Sequence, residues 1–165
     1  TRSRIGIQND DGTITSIYCH SDGYLGGVGA ILADHYATEE EVKRLIEGGD
    51  LSELGAVVGD KHPFDERSWR PCIRGAGWVD VADQCTFYGR DRGETGTGPV
   101  VSVSFDDLKR EHLCDGWIEN LYLFKPGEGW RWFTYPFFED QGRLLSEALA
   151  EVQRGIDRGE ARAGR

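Results

Sequence analysis

The segment from Tyr18 to Gly29 holds the densest group of side chains in the chain that could do chemistry. It reads YCHSDGYLGGVG, so a thiol, an imidazole, a carboxylate and two phenols lie within seven residues, before a glycine cluster. His20 and Asp22 could form an acid–base pair. The alternative is a hydrogen bond that only braces a loop. We therefore predict His20, Asp22 and Tyr24 as candidate ligand- or partner-binding residues, and the catalytic residues, if any exist, stay unknown.

The strand that leads into this segment decides which of its side chains point inward. Successive side chains of a strand point to opposite faces of the sheet. Tyr18 and His20 therefore share one face, while Ile17 and Cys19 share the other. Cysteine is most often a small buried hydrophobe. We expect Cys19 to lie in the core and not to act as a nucleophile.

The glycines that follow have two interpretations. Backbone N–H groups of Gly26, Gly27 and Gly29, placed before a helix, could bind an anion. However, their spacing matches neither the dinucleotide-binding fingerprint nor the P-loop. We favour a tight turn with close packing, for which glycine is the ordinary choice.

Other chemistry finds little support in the sequence. Among the four histidines and four cysteines, the densest group of possible ligands is Glu111-His112 with Cys114-Asp115. It could form a metal site with Cys19-His20 only if the fold brings the two groups together. A closed zinc site normally needs two such pairs. The chain also contains no Gly-x-Ser-x-Gly nucleophile elbow. We expect no metal and no cofactor, and we lean towards a protein that is not an enzyme.

Aromatic residues are dense between Trp117 and Phe138. On two paired strands, alternate members of this strip would cover opposite faces of the sheet, and one face must be core. If the other face is exposed, it forms a partner-binding surface. Trp130 and Trp132 are the candidates for such a surface, with burial in the core as the alternative.

The order of elements predicts an α+β fold. Asp11-Gly12 lies between two strand-like runs and indicates a hairpin, and Thr38 with Glu41 forms a capping box before a helix. We expect a mainly antiparallel sheet built from hairpins, packed with two N-terminal helices and a C-terminal helix. Residues 1–157 would form a single domain and residues 158–165 a frayed polar tail. The sequence further suggests a helical turn at 50–55 and a flexible loop at 90–98.

The composition of the chain argues against some classes of function. The chain has 165 residues and a formal net charge of −10, with 38% hydrophobic residues. This charge opposes direct nucleic-acid binding, which depends on Lys and Arg contacts to phosphates. No apolar run approaches the roughly 20 residues that span a bilayer. With no secretory signal visible, we expect a reducing cytoplasm, free thiols and no membrane association.

Several N-terminal stretches carry a resemblance. They are TRSRIGI at 1–7, Asp11-Gly12, SIYCHSDGY at 16–24, Gly27-Val28-Gly29 and His35-Tyr36, with similarity continuing to 50–54. Over this first third, the sequence resembles a group of small proteins encoded by bacteriophages and prophages, which have a similar strand, hairpin and YCH-x-DGY segment. The resemblance implies a phage setting and assigns no catalytic residue.

Three functions remain open at this point. The first is an acidic, non-catalytic binding protein that acts on a host or defence protein in the host cytoplasm. The second is a small enzyme or ligand binder that uses the 18–29 segment. The third is an oligomeric structural component of a phage. The second predicts a concave pocket that contains His20, Asp22 and Tyr24.

Overall fold

The computed structural model describes residues 1–65, 69–71, 78–80, 83–114, 117–137 and 142–159; for 69–71 and 78–80 it describes the backbone only. Ten strands lie within these ranges: β1 (Arg2–Gln8), β2 (Ile14–Cys19), β3 (Leu51–Glu53), β4 (Trp69–Pro71), β5 (Trp78–Asp80), β6 (Thr86–Phe87), β7 (Val100–Ser102), β8 (Ile118–Lys125), β9 (Gly129–Thr134) and β10 (Arg143–Leu144). Five α-helices accompany them: α1 (Ala30–His35), α2 (Glu39–Glu47), α3 (Tyr88–Arg92), α4 (Phe105–Leu108) and α5 (Leu145–Asp157).

Eight strands form one mixed sheet in the order β10-β9-β8-β1-β2-β3-β6, and β7 pairs with β2 beside β3. Most pairings are antiparallel, as predicted, and β1–β2 and β8–β9 are the predicted hairpins. The Asp11-Gly12 turn joins the first pair, and Gly12 has a φ of +87°, which favours glycine. The parallel pairings β1–β8 and β2–β3 were not predicted. The α+β fold class is confirmed.

One face of the sheet is covered by the three predicted helices. Side chains of α1, α2 and α5 pack with inward-facing residues of the central strands in one buried cluster, which includes Ile5, Ile17, Cys19, Leu32, Leu45, Tyr122 and Ala148. Ile17 and Cys19 are completely buried, so the prediction from strand alternation is confirmed. Each fully buried aliphatic side chain in this cluster contributes about 1.5–3 kcal/mol through removal from water.

The opposite face carries a smaller apolar cluster. Leu121, Leu123 and Phe133 of the central strands pack there against Leu108 and Leu113. These two leucines come from α4 and from a π-helical turn, Lys109–Leu113, that continues it. The sheet is therefore covered on both faces, which explains the long apolar run in β8.

Helix starts follow local sequence signals in two places. The Thr38 hydroxyl accepts a hydrogen bond from the Glu41 backbone amide at 3.2 Å and donates to the Glu41 carboxylate at 2.8 Å. The first contact confirms Thr38 as the N-cap, while the Glu41 carboxylate accepts from the Thr38 hydroxyl in place of the backbone amide that a capping box uses. A π-helical turn, Leu25–Gly29, leads directly into α1, so helical backbone begins within the glycine cluster.

One local expectation is wrong, and a second is wrong in part. Residues 51–53 form β3 and not a helical turn, because Leu51 pairs with Cys19 and with Phe87 across the sheet. Residues 88–92 form α3, so the expected flexible loop at 90–98 begins with a helix. In both cases long-range contacts outweigh the local propensity.

The predicted C-terminal helix is present as α5, which ends at Asp157. Arg158 and Gly159 follow it and are exposed. Residues 160–165 of the expected polar tail lie outside the described residues, as do most of the residues between 66 and 82. None of the helices in the described ranges has the length and apolar character needed to cross a bilayer.

Candidate functional site

Four strand ends meet at one edge of the sheet. Strand β2 runs antiparallel to β1, β8 runs parallel to β1, and β9 runs antiparallel to β8. The end of β2, the starts of β1 and β8, and the end of β9 therefore share an edge. This topology brings the loop after β2, with Asp22 and Tyr24, close to Glu119 and Thr134.

A cavity of about 470 Å³ opens at this edge. Its lining includes Asp22, Tyr24, Glu119, Asn120, Trp132 and Thr134. Three of the five residues predicted from the sequence, Asp22, Tyr24 and Trp132, therefore lie around one cavity although they are far apart in the chain. Cavities of this volume fall within the range that holds small ligands or partner side chains.

A second cavity, of about 540 Å³, continues from the first. The two share Glu119, Asn120 and Thr134, and the second adds Cys114, Trp117 and Tyr135. We call the two cavities together the edge groove. It runs along the ends of β8 and β9, from the loop after β2 to the turn after β9.

Trp117 and Tyr135 are the most exposed aromatic side chains in the groove. Trp117 is 80% exposed and Tyr135 is 64% exposed. Large aromatic side chains that share an exposed concave surface are typical of binding sites, because their burial by a partner is strongly favourable. Both residues belong to the aromatic strip noted in the sequence.

The loop that carries Asp22 is held rigidly. Asp22 has a φ of +53°, an uncommon conformation for a residue with a side chain. Its carbonyl accepts a hydrogen bond from the Val28 amide at 2.9 Å, and the Tyr122 hydroxyl donates to the Gly23 carbonyl at 2.7 Å. Burial raises the pKa of Tyr122, so this phenol stays protonated and donates throughout the ordinary pH range.

The glycine cluster fits the close-packing interpretation. A Cβ atom on Gly27 would lie 2.3 Å from the Asp22 carbonyl oxygen, a distance that real Cβ atoms do not adopt. The amides of Gly27 and Gly29 both donate to the Tyr24 carbonyl. Since these N–H groups bond within the chain, they are not directed at an anion.

Some polar groups in the groove are hydrogen-bonded to other described residues, and others are not. Trp132 Nε1 donates to Asn120 Oδ1 at 2.8 Å, and the Tyr135 amide donates to the Glu119 carbonyl at 2.9 Å. By contrast, no ion pair or hydrogen bond to the carboxylates of Asp22 and Glu119 is found within the described part of the chain. Neither cavity is lined by a lysine, arginine or histidine among the residues described. The charged side chains that line the groove are therefore acidic, and several of its other side chains are aromatic.

Trp130 is not part of an exposed surface, so the expectation that it binds a partner is wrong. Trp130 is only 7% exposed, packs in the main core, and donates from Nε1 to the Tyr36 carbonyl at 2.8 Å. Its ring faces the helices because it lies in register with Phe124 on the covered face. Trp132 remains in the groove lining, where the exposed aromatic side chains are those of Trp117 and Tyr135.

His20 also lies apart from the groove lining. Its Nδ1 is 2.8 Å from the Tyr18 hydroxyl, on an exposed part of the surface. The structure therefore pairs His20 with Tyr18, its neighbour on the same strand face, and not with Asp22. The predicted pocket contains Asp22 and Tyr24 without His20.

The backbone of Tyr18 contacts a second polar side chain, that of Asp50. The Tyr18 amide donates to Asp50 Oδ1 at 2.9 Å, and burial raises the pKa of Asp50 despite attraction from Arg4 and His112. Arg4 is buried and donates to the Ser16 hydroxyl at 2.8 Å, and desolvation lowers its pKa. These contacts tie β1 and β2 to the start of β3, so we assign them a structural role.

Two groove residues were missed by sequence reasoning. Glu119 and Asn120 interrupt the apolar run of β8, and a charged residue within a strand that is otherwise buried was the available signal. Tyr135 was noted only as part of the aromatic strip. In the residues that the structure describes, no group of three histidine, cysteine, aspartate or glutamate side chains could hold a metal ion.

Comparison with protein-family models, with curated proteins and with solved structures gives no match for this chain, so its function must be inferred from its own residues.

Proposed function

We propose that this protein is an acidic, phage-encoded binding protein that acts in the host cytoplasm and docks a host or defence protein in the edge groove. The observation that supports this proposal most directly is the exposure of Trp117 and Tyr135 within one cavity. Exposure of two large aromatic side chains in one cavity is unfavourable for a protein that functions alone, since removal of each from water would be favourable.

The composition of the groove agrees with a protein partner. Tryptophan and tyrosine are the residues most enriched among those that dominate binding energy at protein interfaces. Here they are joined by Tyr24 and Trp132 at the other end of the groove. The phage setting comes from the sequence resemblance, and the net charge of −10 favours partners with a basic surface.

Affinity capture from a lysate of the bacterial host tests this proposal. The bait proteins are the wild type, a Trp117→Ser/Tyr135→Ser double variant and a Val101→Ser/Val103→Ser double variant. Val101 and Val103 are 63% and 76% exposed and do not line the groove, so they provide a matched loss of exposed apolar surface. We expect one protein, in stoichiometric amount, with the wild type and the valine variant, and its loss with the groove variant. Equal retention by all three baits would contradict the proposal.

The cavity around Asp22 and Tyr24 supports a second candidate, a binder of small ligands. Its polar lining of carboxylates, amide and hydroxyl groups is typical of sites that orient a small molecule. A thermal-shift screen of small cationic and polyhydroxyl compounds distinguishes the candidates. A stabilising compound whose effect disappears in Asp22→Asn but persists in the Trp117→Ser/Tyr135→Ser variant would favour the small-ligand function.

A further inference from the structure

We infer that the edge groove recognises an arginine side chain in a basic segment of the partner, held between the aromatic pair Trp117 and Tyr135 and the carboxylate of Glu119. This inference rests on the proposed function and names the chemistry of its partner. It follows from three properties of the groove: the sign of its charged side chains, the absence of ion pairs to them within the described residues, and the exposure of its aromatic side chains.

The charged side chains that line the groove, among the described residues, are all acidic, and the N-terminal residue Thr1 lines the first cavity but not the second. Asp22 lines the first cavity and Glu119 lines both. No basic side chain among the described residues lines either cavity, although the chain as a whole contains 19 lysine and arginine residues. A concave surface whose charged side chains are all acidic concentrates cations and repels anions.

These carboxylates are available to a partner. Some exposed acidic side chains elsewhere in the protein are paired with nearby cations, as Glu94 is with Arg92 and Glu151 with Arg143. Within the described ranges, Asp22 and Glu119 have no such ion pair. A cation that binds there gains a charge-assisted hydrogen bond without first breaking an internal one.

The aromatic rings select among cations. Cations bind over the faces of tryptophan and tyrosine rings, and the guanidinium group of arginine also stacks on them as a plane. This chain already uses that contact, because the Arg92 guanidinium lies 4.3 Å from the ring centre of Phe64 and 5.0 Å from that of Tyr88. Arginine can stack and donate to a carboxylate at the same time, whereas a lysine ammonium acts as a point charge.

Titration of the purified protein with blocked tripeptides tests the inference. Acetyl-Arg-Arg-Arg-amide is added to ¹⁵N-labelled protein while the Glu119 amide and the Trp117 indole N–H signals are followed by NMR. Acetyl-Lys-Lys-Lys-amide and acetyl-Glu-Glu-Glu-amide are the comparison peptides. We expect the arginine peptide to shift both groove signals, the lysine peptide to bind more weakly, and the glutamate peptide to leave them unchanged.

Matched variants separate recognition from general attraction to an acidic protein. Glu119→Gln keeps the size of an exposed side chain and should weaken binding of the arginine peptide about fivefold. Glu147→Gln changes another exposed carboxylate, on α5 outside the groove, and should leave binding unchanged. Trp117→Ala should weaken binding to a similar extent as Glu119→Gln. Equal effects of the Glu119 and Glu147 substitutions would overturn the inference.

The two proposals fail in different ways. If the wild type captures a host protein through Trp117 and Tyr135 but its groove signals ignore the arginine peptide, arginine recognition is wrong and the binding function stands. If the peptide binds in the groove but no host protein depends on the aromatic pair, the groove recognises arginine and the proposed function is wrong.

Discussion

The backbone amide of His62 donates a hydrogen bond of 3.1 Å to Oδ1 of Asp91, and this contact fastens the chain after β3 to α3. The Asp91 side chain is fully buried and also accepts from the Phe87 amide at 2.8 Å and from Arg90 Nε at 2.9 Å. The rest of the Arg90 guanidinium donates to the carbonyls of Val58, Gly59 and Cys85. One aspartate and one arginine therefore connect residues 58–62 to residues 85–91.

Replacement of Asp91 should destabilise the protein strongly. Asp91→Ala leaves the half-buried Arg90 and two backbone amides without their acceptor, and removal of one partner from a buried ion pair costs about 3–5 kcal/mol. Asp106→Ala is the control, because Asp106 is largely exposed in its ion pair with Lys109 and should contribute less than about 1 kcal/mol. Urea denaturation followed by circular dichroism measures both changes. A similar small change for the two variants would show that the network does not stabilise the fold.

The same aspartate should make stability depend on pH in the acid range. Burial alone would raise the pKa of Asp91, but hydrogen bonds from Arg90, Phe87 and His62 outweigh it and lower the pKa below the ordinary value of 3.8. A carboxyl with a lowered pKa stabilises the folded state fully above its ordinary value, and this contribution is lost as the pH falls through the folded-state pKa. The difference in unfolding free energy between wild type and Asp91→Asn should therefore shrink as the pH falls from about 5 to about 2. A difference that stays constant across this range would contradict the assignment.

The hydrogen bond from Tyr122 to the Gly23 carbonyl should stabilise the folded protein and the loop that lines the groove. Tyr122→Phe leaves a buried carbonyl unsatisfied, which costs about 1–3 kcal/mol. The matched control is Tyr18→Phe, which removes a phenol whose contact with His20 is exposed and should cost less than about 1 kcal/mol. Denaturation curves give the stabilities, and the NMR signals of Asp22 and Tyr24 report the loop. Equal costs for the two substitutions would argue against a special role for Tyr122.

The close packing at Gly27 predicts that alanine substitutions at Gly27 and at Gly98 have different effects on stability. Gly27→Ala places a methyl group against the Asp22 carbonyl and should cost about 1–3 kcal/mol through forced displacement of the loop. Gly98→Ala meets no atom within 4 Å and needs no unusual φ, so it should be neutral or slightly stabilising. Thermal unfolding of the two variants checks the prediction. A neutral Gly27→Ala would mean that the loop after β2 can move without cost, contrary to the packing described.

The elements that the sequence predicted well are those with local causes. The Asp11-Gly12 hairpin and the Thr38 N-cap each depend on a few adjacent residues, and the burial of Cys19 follows from strand alternation alone. The parallel pairing of β1 with β8 has no such local signature, because it joins residues more than a hundred positions apart. The edge groove depends on this pairing, since the pairing places Glu119 beside the loop of Asp22.

The candidate site was predicted in part for the same reason. Asp22 and Tyr24 were identified from a dense local segment, and Trp132 from its aromatic strip. The sequence could not tell Trp130 from Trp117, because their exposure depends on strand register and on where β8 begins. Trp117 lies just before β8, and Trp130 lies opposite Phe124 under the helices. A tryptophan count alone therefore could not locate the exposed surface.

Thiol reactivity should follow the burial seen in the structure. Cys19 and Cys85 are buried, and burial raises the pKa of Cys19 to about 12, whereas Cys114 is exposed in the groove. The reactive species is the thiolate, so a thiol of such a high pKa reacts very slowly near pH 8. The test uses a Cys72→Ser background, which removes the cysteine outside the described residues. A thiol reagent should then modify Cys114 rapidly, and Cys19 and Cys85 only in denaturant. Adding Cys114→Ser should abolish the rapid phase, and a rapid phase that survives this substitution would show that a core cysteine is accessible.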